Sequence, residues 1–68
     1  MDRIEPTIQL DQFLKRLGLV GTGGQAKVVI QAGQVRLNGA IETRRKKKLR
    51  PGDKVTFRGQ TYIVDEVR

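Results

Sequence analysis

Arg44-Arg45-Lys46-Lys47-Lys48, continued past Leu49 by Arg50, puts six cations within seven residues. Guanidinium and ammonium groups at that density suit one kind of chemistry. Each phosphate neutralised by Lys or Arg releases condensed counterions, so a polyanion is bound favourably. Unpartnered, the same groups repel by about 1 kcal/mol per neighbouring pair at 4 Å in water, and by less under salt screening. The chain carries 14 Lys and Arg against 7 Asp and Glu, a net +7; taking these six away leaves +1, so the charge is local. The structural alternative is a solvated charged loop, and the rest of the sequence has to decide between the two.

Other chemistries find little support. The carboxylates Asp2, Glu5, Asp11, Glu42, Asp53, Asp65 and Glu66 form no acid–base or metal-binding motif. With neither His nor Cys in the chain, Cys/His metal sites, thiolate chemistry and disulfide staples are excluded, and no catalytic role or cofactor is expected. The lack of cysteine fits a reducing cytosol. Gly23-Gly24 at a helix start could hold an anion, but Gly21-Thr22-Gly23-Gly24 runs into Gln25-Ala26-Lys27 and matches neither phosphate-loop pattern. Tight-turn geometry is the better reading of those glycines.

The elements that must position the basic run fit in 68 residues, read as one domain over 1–68 near the size where a single core only just offsets chain entropy. No apolar run approaches the roughly 18 residues that span a bilayer. Met1-Asp2-Arg3-Ile4-Glu5-Pro6 is unlike a signal peptide, so a cytoplasmic location is expected, with the first five residues frayed. Leu10, Phe13, Leu14 and Leu17 lie at i, i+3, i+4, i+7 and predict an amphipathic helix with Gln12, Lys15 and Arg16 outside. Gly18 is its expected stop, and Asp11 suits its N-terminal dipole. Thr7-Ile8-Gln9 reads equally as a short strand or the helix entrance. Thr22 and Gln25 have capping-box spacing and predict a second helix, with Ala26, Val29 and Ile30 on its inner face, Gln25, Lys27 and Gln31 outside, and Gly33 at its end.

Val35-Arg36-Leu37 alternates as a strand, and Asn38-Gly39 signals a type I′ hairpin returning through Ala40-Ile41-Glu42-Thr43. A strict two-residue loop puts Ile41 on the face opposite Val35 and Leu37, so either the loop is looser or Ile41 packs elsewhere. Pro51-Gly52 is a turn. Lys54-Val55-Thr56-Phe57 then starts a hairpin in which a Gly59-Gln60 loop would pair Phe57 with Tyr62 and Val55 with Val64, leaving Ile63 and Val67 at an edge or needing other cover.

Taken in order, Leu10-Asp11-x-x-Leu14, Gly18, Thr22, Ala26, Ile30, Gly33, Val35-x-Leu37-Asn38-Gly39 and Pro51-Gly52-Asp53-x-Val55 resemble the S-four RNA-binding domain, the alpha-L motif. The resemblance runs from Leu10 to Phe57. With Glu42-Thr43 and the basic run behind it, the chain looks most like the small stand-alone bacterial proteins of that family. It implies an α+β fold, two short packed helices followed by a small, mainly antiparallel sheet. It also implies structured RNA, ribosomal or transfer, as the partner, with a place on the ribosome, in its assembly or in translation. RNA would lie across the two helices and the loop leaving the hairpin, with Thr22 to Lys27 at the centre. The family often has Arg after the Ser or Thr, where this chain has Gly23, and a basic residue before the Leu-Asp pair, where it has Gln9.

The expected RNA-binding residues are therefore Arg44, Arg45, Lys46, Lys47, Lys48 and Arg50, with Lys15, Arg16, Lys27 and Arg36 in support and Thr22, Gly23, Gly24 and Gln25 at the second helix start. If extended, the run points Arg44, Lys46 and Lys48 one way and Arg45 and Lys47 the other, so one RNA meets all of them only if the segment curls. Gln25 serves as a cap at least as readily as an RNA contact, and Asn38 serves its turn. Phe13, Phe57 and Tyr62 sit at core positions, which favours reading of folded RNA by shape and backbone over stacking of single strands. A monomer is expected, with no membrane and no small-molecule substrate. The alternative is a basic adaptor docking on an acidic protein or an anionic surface.

Overall fold

The computed structural model describes residues 7–65; the expectations for the first five residues and for Val67 lie outside them. In chain order the elements are β1 (Ile8–Gln9), α1 (Leu10–Arg16), α2 (Gly23–Gln31), β2 (Val35–Leu37), β3 (Ala40–Ile41), β4 (Lys48–Leu49), β5 (Lys54–Phe57) and β6 (Gln60–Ile63). The architecture is α+β, two packed helices with antiparallel sheets, as the sequence implies. Four strands form a sheet of order β3-β2-β5-β6, and β1 pairs with β4 in a separate two-stranded ribbon.

Both helices end as their glycines predict. Gly18 and Gly33 take φ of +76° and +78°, and in each case the paired bonds of a Schellman motif close the last turn: Gly18 N–H to Lys15 and Leu19 N–H to Leu14, Gly33 N–H to Ile30 and Gln34 N–H to Val29. Leu17 departs from its expected place on the inner face. It falls at the cap, where the chain turns away, and stays 42% exposed. Leu10, Leu14, Ala26 and Ile30 are fully buried and meet Val35, Val55 and Phe57 from the inner face of the sheet.

The first hairpin follows the strict loop, with Asn38 at φ +52° followed by Gly39 at +89° and Leu37 paired with Ala40. Ile41 therefore lies on the outer face opposite Arg36, 57% exposed and beside Gly33. The strand stops at Ile41 instead of running to Thr43. The second hairpin departs from its expected register: Phe57 pairs with Gln60 and Val55 with Tyr62. The loop is Arg58-Gly59, both left-handed at +54° and +78°, because a type I′ turn requires positive φ at both central positions and matches the strand twist. The shift is by two residues, so Val55, Phe57, Tyr62 and Val64 still share the inner face, and Ile63 lies on the edge strand, 57% exposed.

Candidate nucleic-acid interface

The basic run is not an extended arm. Lys47 N–H donates to the Arg44 carbonyl at 3.2 Å, closing a turn that curls the run onto the start of α1. An α-helix leaves its first N–H groups without partners, and Gln9 at the cap position offers no side-chain acceptor. The loop supplies the acceptors. Leu10 N–H donates to the Lys47 carbonyl at 2.8 Å and Asp11 N–H to the Arg45 carbonyl at 3.0 Å, while Gln12 N–H donates to the Asp11 carboxylate at 2.8 Å. Beyond the turn, Lys48 and Leu49 pair with Gln9 and Ile8, and Leu49 is fully buried. One apolar residue inside a cationic run thus anchors the whole segment to the core.

The loop's carbonyls face the helix and most of its charge faces solvent. Asp11, 6% exposed, is the acidic seat: Arg45 Nε lies 3.9 Å and Lys46 Nζ 3.8 Å from its carboxylate. Lys15 follows Asp11 by four residues, on the same side of α1 one turn on, and is exposed. It extends the basic strip along the helix, with Arg16 beside it in the last turn. On the other flank Glu42 holds Arg44 through the Arg44 N–H at 3.1 Å and the guanidinium Nε at 2.9 Å. That hydrogen bond, with lesser help from the Arg44 and Lys47 charges, keeps the Glu42 carboxyl below its ordinary value near 4.5 and raises Arg44 above its own. Arg50 precedes the Pro51-Gly52 turn, its N–H donating to the Asp53 carboxylate at 2.9 Å.

The start of α2 forms a second part of the surface. Thr22 Oγ1 accepts from Gln25 N–H at 3.1 Å, and the Gln25 side-chain carbonyl accepts from Gly21 N–H at 2.7 Å. This is the capping box moved back by one residue, so the cap reading of Gln25 holds. Gly23 and Gly24 begin the helix, and a Cβ at Gly23 would meet nothing within 4 Å; Lys27 is exposed one turn on. Arg36 stands apart from the other candidates, on the sheet face turned away from the helices between Ile41 and Thr56. The structure thus gathers Arg45 and Lys46 around Asp11 with Lys15 one turn on, holds Arg44 on Glu42, and sets Thr22 to Lys27 on a second helix.

Arg58 is absent from the residues that the sequence singles out. It reaches the same groove as Thr22, Gly24 and Gln25 from the β5–β6 turn, with its guanidinium carbon 4.9 Å from the Phe57 ring centroid. A lone Arg carries no motif, and the one signal in the sequence is its position before Gly59, which makes Arg58-Gly59 the loop. Among the described residues no group of three or more His, Cys, Asp or Glu could hold a metal, and no helix is long and apolar enough to cross a membrane.

A family model described as the S4 domain matches residues 3–65. The protein YbcJ of Escherichia coli (strain K12) is 41% identical over 59 residues, which cover 87% of this chain and 84% of that one. YbcJ of Shigella flexneri matches to the same extent. The solution structure of the E. coli protein superimposes with a TM-score of 0.67 and 38% identity, covering 94% of this chain and 81% of the other. That structure displays an alpha-L motif described as involved in RNA binding.

Proposed function

This chain belongs to the S4 domain family, and from that membership and its surface chemistry we propose that it is an RNA-binding protein that recognises structured RNA chiefly through phosphate contacts. The observation that carries the reading is the basic turn from Arg44 to Lys48. Two of its carbonyls receive the α1 N-terminal N–H groups and most of its charge is turned outward, Arg44 72% and Lys46 61% exposed. A curled cationic loop continued by Lys15 offers several charges to one face of a duplex, which a straight arm would divide between two sides. A-form RNA is read by shape and by backbone contacts, and no exposed aromatic is needed for that. The family and this surface support a binding role and not a catalytic one. We further propose ribosomal or transfer RNA as the target, a role in ribosome assembly or translation, a cytoplasmic location and action as a monomer.

The test is RNA binding as a function of salt for wild type and for a variant with Gln at positions 44 to 48. The log–log slope should shrink by about 0.7 to 0.9 for each phosphate that is no longer neutralised, and affinity should collapse. An unchanged slope would mean that the loop is only solvated surface. Polyglutamate competing as well as RNA at equal charge would favour an acidic protein partner instead.

A further inference from the structure

A groove of about 540 Å³ lies between the start of α2 and the β5–β6 turn. Leu19, Val20 and Val28 give it apolar walls, Thr22 and Gln25 polar ones, and Arg58 enters from the hairpin. Val28 is 65% exposed although the inner face of α2 is already supplied by Ala26, Val29 and Ile30. The Thr22 hydroxyl and the Gln25 carbonyl are engaged in capping, which leaves the Gln25 amide NH₂ as a donor at the rim.

Arg58 is the unusual member. Its φ of +54° is a conformation that Gly, Asn or Asp adopts far more readily. An outlier of this kind points to use of the side chain that occupies it. The guanidinium carbon lies 4.9 Å from the Phe57 ring centroid, and Arg58 remains exposed. No ion pair to Arg58 occurs among the described residues. Aliphatic walls beside a cationic plane without an acidic partner are complementary to a flat, negatively charged ligand. An acidic peptide would use the charge and waste the plane.

We propose that this groove takes one unpaired nucleotide extruded from the bound RNA, its base packed on Val28 and Leu19 and stacked on the Arg58 guanidinium, which also reaches its phosphate. The inference rests on the RNA-binding reading and adds to it a preference for RNA with a bulged or looped-out base, since bases stack on guanidinium planes once freed from the helix.

The experiment compares two RNA hairpins that differ by a single bulged nucleotide, titrated with the full chain at fixed salt. Wild type should bind the bulged hairpin about tenfold more tightly, within the range that one stacked base supplies. Arg58→Lys, which keeps the charge and loses the plane, and Val28→Ser, which removes the floor, should each bring the ratio close to one. Both should leave affinity for the fully paired hairpin within about twofold, which also establishes that they are folded. Lys46→Gln should weaken both hairpins alike and keep the ratio. Equal wild-type affinity for the two hairpins overturns the nucleotide site while RNA binding stands, as does an equal loss on both with Arg58→Lys. Binding to neither overturns the RNA reading and the site with it.

Discussion

Asp11 and Arg45 meet twice: the Asp11 N–H donates to the Arg45 carbonyl at 3.0 Å, and the Asp11 carboxylate faces Arg45 Nε at 3.9 Å. The helix start and the basic turn therefore hold each other. The positive end of the α1 dipole lies against a cluster of cations, an unfavourable juxtaposition that the Asp11 charge offsets. Asp11→Asn keeps the shape and removes that charge. It should cost about 1 kcal/mol in urea unfolding and lower RNA affinity, although net charge rises by one. Bulk electrostatics predicts the opposite sign for affinity, so a titration at one salt concentration separates positioning from charge. Stronger binding by the variant would mean that the turn needs no seat.

Glu42 holds Arg44 in an ion pair, so RNA bound at the basic turn as proposed would compete with it for that guanidinium. Its carboxyl is held below the ordinary value near 4.5 by the Arg44 hydrogen bond, so the stability it contributes is present above that value and is lost as pH falls through the lowered one. Glu42→Gln should lack this component: the wild-type melting temperature should fall toward the variant's as pH drops from about 6 to about 3. At neutral pH the variant frees Arg44 and should steepen the salt dependence of RNA binding by up to about 0.9 in log–log slope. An unchanged slope would show that Arg44 stays with residue 42 in the complex.

Gly23 stands where the family resemblance implies an Arg. A Cβ there meets nothing within 4 Å, so Gly23→Arg needs no repacking. Replacing glycine within a helix by a residue that fits is favourable by about 0.4 to 1 kcal/mol, and a cation in the first turn takes back part of that. Stability should hardly change, while the log–log salt slope for RNA should rise by about 0.7 to 0.9, the increment for one further phosphate neutralised. An unaltered slope would place the α2 N-terminus outside the RNA footprint.

What was legible in the sequence was local. Leu10, Phe13 and Leu14 repeat at helix spacing, Thr22 and Gln25 mark a cap, Gly18 and Gly33 mark stops, and Asn38-Gly39 fixes a hairpin, because each signal acts over a few residues. The pairing of Ile8 with Leu49 was not legible. It joins two-residue strands across about forty residues of chain, a non-local pairing that no short-range pattern signals. The curl of the basic run was hidden for the same reason, since its Arg44–Lys47 turn is seated by bonds from Leu10 and Asp11, which lie far back in the chain. Arg58 escapes notice because a glycine suits either position of a two-residue loop, and a Gly59-Gln60 loop leaves the preceding arginine in a strand.

Gln25 separates a structural from a recognising role for the start of α2. Its side-chain carbonyl accepts from Gly21 N–H, and a Glu carboxylate could take that bond with the added benefit of a negative charge at the helix N-terminus. Gln25→Glu should therefore be as stable as wild type or more so by about 0.3 to 1 kcal/mol. If RNA lies across this end of α2, the new charge faces phosphate, and affinity should fall several-fold at low salt and recover toward wild type as salt screens the repulsion. Gln25→Ala, which loses the bond to Gly21 N–H and adds no charge, should do the reverse, lowering stability with little change in the affinity of the folded protein. Opposite responses in stability and affinity from the two variants cannot come from folding alone. If Gln25→Glu binds RNA as wild type does, the contact surface ends at the basic turn and Lys15.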